Sequence, residues 1–293
     1  NISFCKKDIL EFSPDKIIFI DYPGFNMRIA KWSKKYKFET IYYIAPQLWA
    51  WNEKRINEIK KYINSLYVIL PFEKEFFESK HNYPVKFLGH PLTDSIYNFK
   101  TNNTSSNKLI TTDKKPIIAI LPGSRKQEIK KILNTVIETV ECFKEYQFIV
   151  AGAPNIELSY YTSIIKNKKI KVIENKTYEL LSVSYAAIVT SGTATLETAL
   201  FKVPQVVCYK SSYFSFVIAK LIVNIKYISL VNLIMDQEIV KELIQQDCNK
   251  NKITKELKKI LDLNHRKSLK VKYDELASIL GNFGTSKRVA LDI

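Results

Sequence analysis

The stretch 117–125 reads Ile-Ile-Ala-Ile-Leu-Pro-Gly-Ser-Arg, and Lys126-Gln127-Glu128-Ile129 follows it. Five apolar residues without polar alternation predict a strand buried on both faces, as in parallel sheets covered by helices. Pro122-Gly123 ends the strand, and the apolar spacing from Lys126 to Phe143 predicts a helix. The pattern extends in both directions. Upstream, strands are expected at Lys16–Asp21, Thr40–Ala45, Leu66–Leu70 and Val85–Gly89, with helices from about Asn26 to Tyr36, near Asn52–Tyr62 and from Pro71. Downstream, strands are expected at Gln147–Ala151, Lys169–Ile173, Ala186–Thr190 and Gln205–Tyr209, with helices at Ile156–Ile165 and Thr193–Phe201. Strand–helix alternation of this kind predicts two parallel, doubly wound α/β domains. Residues 97–115 are polar and aperiodic and read as a linker. The expected division is an N-terminal domain over 1–112, a C-terminal domain over 113–264 and a helical segment over 265–293 that can pack back on the N-terminal domain. From about Ser211 the chain is expected to be helical. Tyr213–Val223 is apolar on nearly every face, which fits core burial or contact with a membrane or partner.

The chain has 293 residues and a formal net charge of +16. Seventeen Tyr, 16 Phe and 46% hydrophobic residues exclude a disordered chain and supply two cores. The charge invites an anionic partner. Its distribution argues against nucleic acid, because the three expected segments carry +6, +7 and +3 and no basic arm exists. Cys5, Cys142, Cys208 and Cys248 are far apart, as are His81, His90 and His265, so no metal-ligand spacing is present. Free thiols in a reducing cytoplasm are expected. No D-x-D occurs, and neither a cofactor nor a metal is expected. The first ten residues include Lys6, Lys7 and Asp8, unlike a secretory signal, and no apolar run is long enough to span a bilayer.

Ligands of open parallel sheets sit beyond the carboxyl ends of the strands. Five of the seven glycines fall there: Gly24, Gly89, Gly123, Gly152 and Gly192. Such placement suggests turns or ligand approaches that a side chain would obstruct. At Gly123-Ser124-Arg125 a helix begins. Its free N–H groups and positive dipole end suit phosphate, and Arg125 adds a planar fork. The alternative reading is an ordinary turn with a solvent-facing Arg. Thr190-Ser191-Gly192-Thr193-Ala194 repeats the geometry, with Ser191 and Thr193 hydroxyls available, and Glu197 lies one turn further in. That carboxylate can accept both hydroxyls of a ribose, or merely complement the helix dipole. Together the two loops point to a nucleoside diphosphate. There is no Walker loop and no G-x-G-x-x-G, which weakens ATPase and NAD readings. Asp21, at a strand end before Tyr22-Pro23-Gly24, is either a turn former or a general base aimed into an interdomain cleft. The loop 45–51 holds two of the three Trp, which fits a core anchor or an apolar substrate wall.

These residues resemble the lipid-A-disaccharide synthase family, inverting glycosyltransferases with two Rossmann-like domains (GT-B). The matching stretches, in family order, are IDYPGFN (20–26), IAPQLWAW (44–51), LPFEKEFF (70–77), FLGHPLTDS (87–95), LPGSRKQEI (121–129), SGTATLETAL (191–200) and VNLIMDQEIVKELIQQDC (231–248). The resemblance implies transfer of a 2,3-diacylglucosamine unit from UDP to the 6-hydroxyl of 2,3-diacylglucosamine 1-phosphate (lipid X). It implies Asp21 as the base, Gly123, Ser124, Arg125, Ser191, Gly192, Thr193 and Ala194 around the diphosphate, and Glu197 at the ribose. Asn26, Gln47 and Trp49 are the acceptor-side candidates. It further implies a cytoplasmic enzyme in peripheral contact with the inner membrane, with the oligomeric state, a homodimer included, left open. The family carries a G-E-x-S-G-D loop and about 80 residues ahead of the first matching stretch, so the resemblance implies an N-terminal domain that is incomplete in these 293 residues. Turnover is not expected of these 293 residues alone. Two other readings are a UDP-N-acetylglucosamine 2-epimerase type of enzyme and a non-catalytic UDP-binding remnant.

Overall fold

The computed structural model describes residues 1–102, 113–166, 170–211 and 226–293. The expected apolar helix at Tyr213–Val223 therefore lies outside the described residues. The chain forms two compact units. Residues Asn1–Asp94 and Ile279–Ile293 belong to the first, and the described residues of 95–278 to the second.

The first unit runs α1 (Ile2–Phe12), β1 (Lys16–Ile20), α2 (Pro23–Ser33), β2 (Glu39–Tyr43), α3 (Leu48–Trp51), α4 (Ile56–Tyr62), β3 (Ser65–Val68), α5 (Pro71–Glu75) and β4 (Lys86–Phe87). Its four strands are parallel in the order β1-β2-β3-β4. Strand β1 alternates strictly. Ile17 and Phe19 enter the core with Tyr42, Ile59 and Leu66, whereas Ile18 and Ile20 are 46% and 57% exposed.

The second unit begins in α6 (Leu92–Asn102) and continues with β5 (Ile117–Leu121), α7 (Lys126–Val140), β6 (Gln147–Gly152), α8 (Leu158–Ile165), β7 (Ile170–Glu174), α9 (Thr177–Val183), β8 (Ser184–Thr190), α10 (Thr193–Leu200), β9 (Gln205–Tyr209), α11 (Leu230–Met235), β10 (Lys241–Ile244), α12 (Lys250–Leu261) and α13 (Leu263–Leu280). The six strands are all parallel in the order β10-β9-β8-β5-β6-β7. Counted from β5, this is the 3-2-1-4-5-6 arrangement of the doubly wound fold. All five residues of β5 are buried because the sheet is covered on both sides. Ile118 and Ile120 face a core made with α7, α8 and α12. Ile117, Ala119 and Leu121 face the opposite core with Leu180 and Leu181 of α9.

Three expectations are corrected. The polar stretch from 97 is not a linker at its start: α6 continues to Asn102, held by contacts of its partly buried side chains, and the units divide at Asp94. The segment after Ser211 is not wholly helical, since Lys241–Ile244 pairs with β9 as an edge strand. The C-terminal part does not separate at 265, because α13 continues through that point as one helix to Leu280. Only Ile279–Ile293, with α14 (Thr285–Asp292), belongs to the first unit.

The start of α14 is capped from a distance. Asp94 Oδ1 accepts the N–H groups of Gly284 and Thr285 at 2.7 and 3.0 Å, and Oδ2 accepts that of Ser286 at 2.7 Å. Burial pushes the Asp94 carboxyl up, but bonds from Ser286, Gly284 and Thr285 outweigh it and hold the carboxyl below its usual value. A carboxyl with a depressed folded pKa stabilises above its unfolded pKa and ceases to do so as pH falls through the folded one. Asp94→Ala is expected to cost about 0.5–2 kcal/mol at neutral pH, the range for a lost helix cap. In denaturant titrations the gap between variant and parent should close below about pH 4.

Candidate functional site

Between β5 and β8 the winding of the second sheet reverses, so the loops that follow them diverge to opposite faces. A cavity of about 310 Å³ opens at this point. Its walls come from the loop after β5 (Leu121 to Ser124, and Glu128), the loop after β6 (Ala151 to Pro154), Thr177, and the loop after β8 (Thr190 to Ala194, and Glu197). Seven predicted residues, Gly123, Ser124, Ser191, Gly192, Thr193, Ala194 and Glu197, thus share one pocket.

The glycines there have distinct reasons. Gly123 has φ +102°, and a Cβ on it would lie 3.0 Å from Glu128 Oε2 and 3.5 Å from Thr190 Cγ2. Gly192 has φ +144° with open space around it, so conformation rather than room requires glycine. Gly24 meets nothing within 4 Å and has an ordinary φ, so the reading of glycine as obligatory does not extend to it. Helices α7 and α10 begin at these loops, and their first N–H groups lack intrahelical carbonyl partners.

Side chains modify the predicted roles. Arg125 is not in the cavity wall: its side chain is 82% exposed and bonds Glu128 Oε1 at 3.0 Å. An exposed pair of this kind is weakly held, and the guanidinium is free to leave it for an anion. Ser191 cannot assist as a donor in this arrangement, because its hydroxyl hydrogen goes to the Ile228 carbonyl at 2.7 Å. That carbonyl is fixed in turn, since Ile228 N, Ser229 N and Ser229 Oγ all donate to the Glu242 carboxylate, which Asn232 Nδ2 also bonds. Glu197 is mostly buried, and burial raises its carboxyl pKa, opposed by the Tyr178 hydroxyl donating to Oε1 at 2.9 Å. Glu128 and Thr177 are wall residues that sequence reading missed. The spacing of three from Arg125, the position where an acid completes a helix start, was the available signal for Glu128.

The first unit places the other predicted residues. Asp21 and Tyr22 are consecutive left-handed residues with φ 47° and 43°, a strained turn of a kind found at functional sites. The turn is tied by the Asp21 carbonyl, which accepts Asn26 Nδ2 and the Tyr42 hydroxyl, each at 2.6 Å. Its carboxylate side chain is exposed. Asn26 Nδ2 also bonds the Ile20 carbonyl at 3.0 Å, so its amide nitrogen is committed to the turn and not available to an acceptor. Gln47 is exposed and precedes α3. Trp49 is half-buried, edge-on to Phe72 at 4.9 Å, and donates Nε1 to Glu73 Oε1 at 3.0 Å. Glu73, 1% exposed, also accepts Ile69 N and Leu70 N at 3.1 and 2.9 Å, and burial pushes its carboxyl up to about 7.

A family profile described as lipid-A-disaccharide synthetase matches residues 3–290. The chain belongs to that family. A lipid-A-disaccharide synthase from Coxiella burnetii is 36% identical over 282 residues, covering 94% of this chain and 74% of the relative. One from Persephonella marina is 35% identical over 297 residues, covering 97% and 78%. Solved structures show the same fold at low identity. The S. aureus MnaA–UDP structure has a TM-score of 0.72 at 14% identity, over 99% of this chain and 78% of that one. The calicheamicin glycosyltransferase CalG4 has a TM-score of 0.60 at 10% identity, over 98% and 76%. The family's two Rossmann-like units are thus of the GT-B kind, and family membership makes the chain a glycosyltransferase of lipid A biosynthesis with a nucleotide-sugar donor. Among the described residues no helix is long and apolar enough to cross a membrane.

Glu73 generates a prediction. A carboxyl whose folded pKa is raised loses stability for the fold as pH climbs from its unfolded value, near 4.3, to its folded one, about 7. Glu73→Gln should flatten the stability–pH curve between about pH 4 and 7 in urea titrations. It should also red-shift tryptophan emission, because the amide nitrogen or oxygen can no longer serve Trp49 and both backbone N–H groups together.

Proposed function

We propose that the second unit binds the UDP of UDP-2,3-diacylglucosamine in the β5/β8 pocket, and that the protein joins that sugar to the 6-hydroxyl of 2,3-diacylglucosamine 1-phosphate. The convergence of two helix starts, α7 and α10, on one cavity carries this reading. Asp21 takes the hydroxyl proton as the acceptor oxygen forms its bond to the anomeric carbon, and the bond from that carbon to the diphosphate breaks. The departing diphosphate gains charge where N–H groups of Gly123 to Ser124 and Gly192 to Ala194 are already oriented, which favours the transition state over the bound donor. Arg125 exchanges Glu128 for a phosphate oxygen at that moment. Glu197 holds the ribose. Thr193, whose side chain is exposed at the pocket rim, takes the donor role that Ser191 has given to Ile228. Gln47 and Trp49 face the acceptor, and the acyl chains of both substrates bring the enzyme to the cytoplasmic face of the inner membrane.

The full-length protein, incubated with the UDP-sugar and lipid X, is expected to release UDP and disaccharide 1-phosphate in equal amounts. UDP release without disaccharide, or neither product, contradicts the reading. Asp21→Asn should lower kcat at least 100-fold, the usual worth of a general base, with UDP affinity within about twofold. An equal fall in UDP affinity assigns Asp21 a structural role instead.

A further inference from the structure

Glu197 lines the pocket, but the groups that hold it lie behind the wall. The Tyr178 hydroxyl occupies Oε1, while Oε2 accepts no hydrogen bond among the described residues. Two other rings seat the phenol. Phe99 of α6 stands edge-on to Tyr178 with centroids 5.5 Å apart, and Phe201, directly after α10, lies 5.3 Å away. Phe99 and Phe201 also touch each other edge-on at 5.7 Å. Lys100 donates to the carbonyl of Leu200, the last residue of α10, at 3.2 Å, and its ammonium sits 5.3 Å over the Phe201 ring. The end of α6 is therefore fastened to the helix that carries Glu197, and its ring helps press the phenol against the carboxylate.

A glutamate side chain free to rotate gives up rotamer entropy when a ligand fixes it. Here that ordering precedes the ligand. The phenol also works against burial, which would otherwise favour the protonated carboxyl and remove it as an acceptor. We infer that Tyr178 is a positioning residue for ribose recognition: its hydroxyl fixes Glu197 so that the remaining oxygen receives the ribose hydroxyls, and Phe99 and Phe201 fix the phenol. This rests on the reading of the pocket as a nucleotide site. It makes the pocket selective for a ribonucleoside diphosphate over its dideoxy counterpart.

The test is calorimetric titration of UDP and of 2′,3′-dideoxy-UDP into the protein, Tyr178→Phe and Glu197→Gln, between pH 5.5 and 8. Tyr178→Phe should weaken UDP about tenfold, the effect of one lost bond to a charged group, and dideoxy-UDP less than twofold. Its UDP affinity should also begin to fall at a higher pH than the parent's as the solution is acidified, since Glu197 loses the donor that opposes its protonation. Equal weakening of both nucleotides with an unchanged pH profile, or no weakening of UDP, overturns the inference. Glu197→Gln separates the two levels. If it weakens UDP selectively while Tyr178→Phe does not, the inference fails and the ribose reading stands. If it affects both nucleotides alike, both fall. Phe201→Leu keeps the hydroxyl but loosens its seat; it should give the selective loss at smaller amplitude, and its failure to do so also overturns the inference should Tyr178→Phe not fold.

Discussion

Strands β5 and β8 lie side by side although three helices and two strands separate them in sequence, and the site depends on that pairing. Their register, from Ile118 opposite Ala186 to Leu121 opposite Val189, ends the two strands within one residue of each other. Pro122-Gly123 and Ser191-Gly192 then leave the sheet together, and each opens a helix on its own face. Neither helix start alone would make a pocket for a diphosphate. Two of them at one reversal point concentrate oriented N–H groups in a wall that, among the described residues, has no Lys or Arg side chain.

The electrostatics are local. A net charge of +16, spread evenly, supplies a background that attracts anions without locating them. Beside the wall residue Ser124, the Arg125 guanidinium is paired with Glu128. The other wall carboxyl, Glu197, is restrained by Tyr178. The resting pocket therefore presents backbone dipoles, with the Arg125 guanidinium held by Glu128 outside the wall. The loop behind it is anchored by the Ser191–Ile228–Glu242 chain of hydrogen bonds, a part-buried network that reaches the cavity wall at Ser191 and fixes the backbone there.

Much of this was legible in the residues. Continuous apolar runs located nearly every strand, and the rarity of glycine singled out Gly123 and Gly192. What sequence reading missed has a common cause. Phe99 and Lys100 sit in a polar stretch whose helix forms because their side chains find Phe201 and Leu200, partners a hundred residues away. The edge strand Lys241–Ile244 is set by pairing with β9 rather than by its own alternation. Glu73 and Ser191 were visible as letters, but their hydrogen-bond partners, Trp49 and Ile228, are products of the tertiary fold.

The central claim is that the β5 and β8 loops form one diphosphate site. Hydrogen–deuterium exchange with and without UDP tests it most directly. Added UDP should slow exchange together at residues 124–128 and 192–195, with little change in the first unit. Protection at only one of the two loops, or confined to the first unit, would contradict the account.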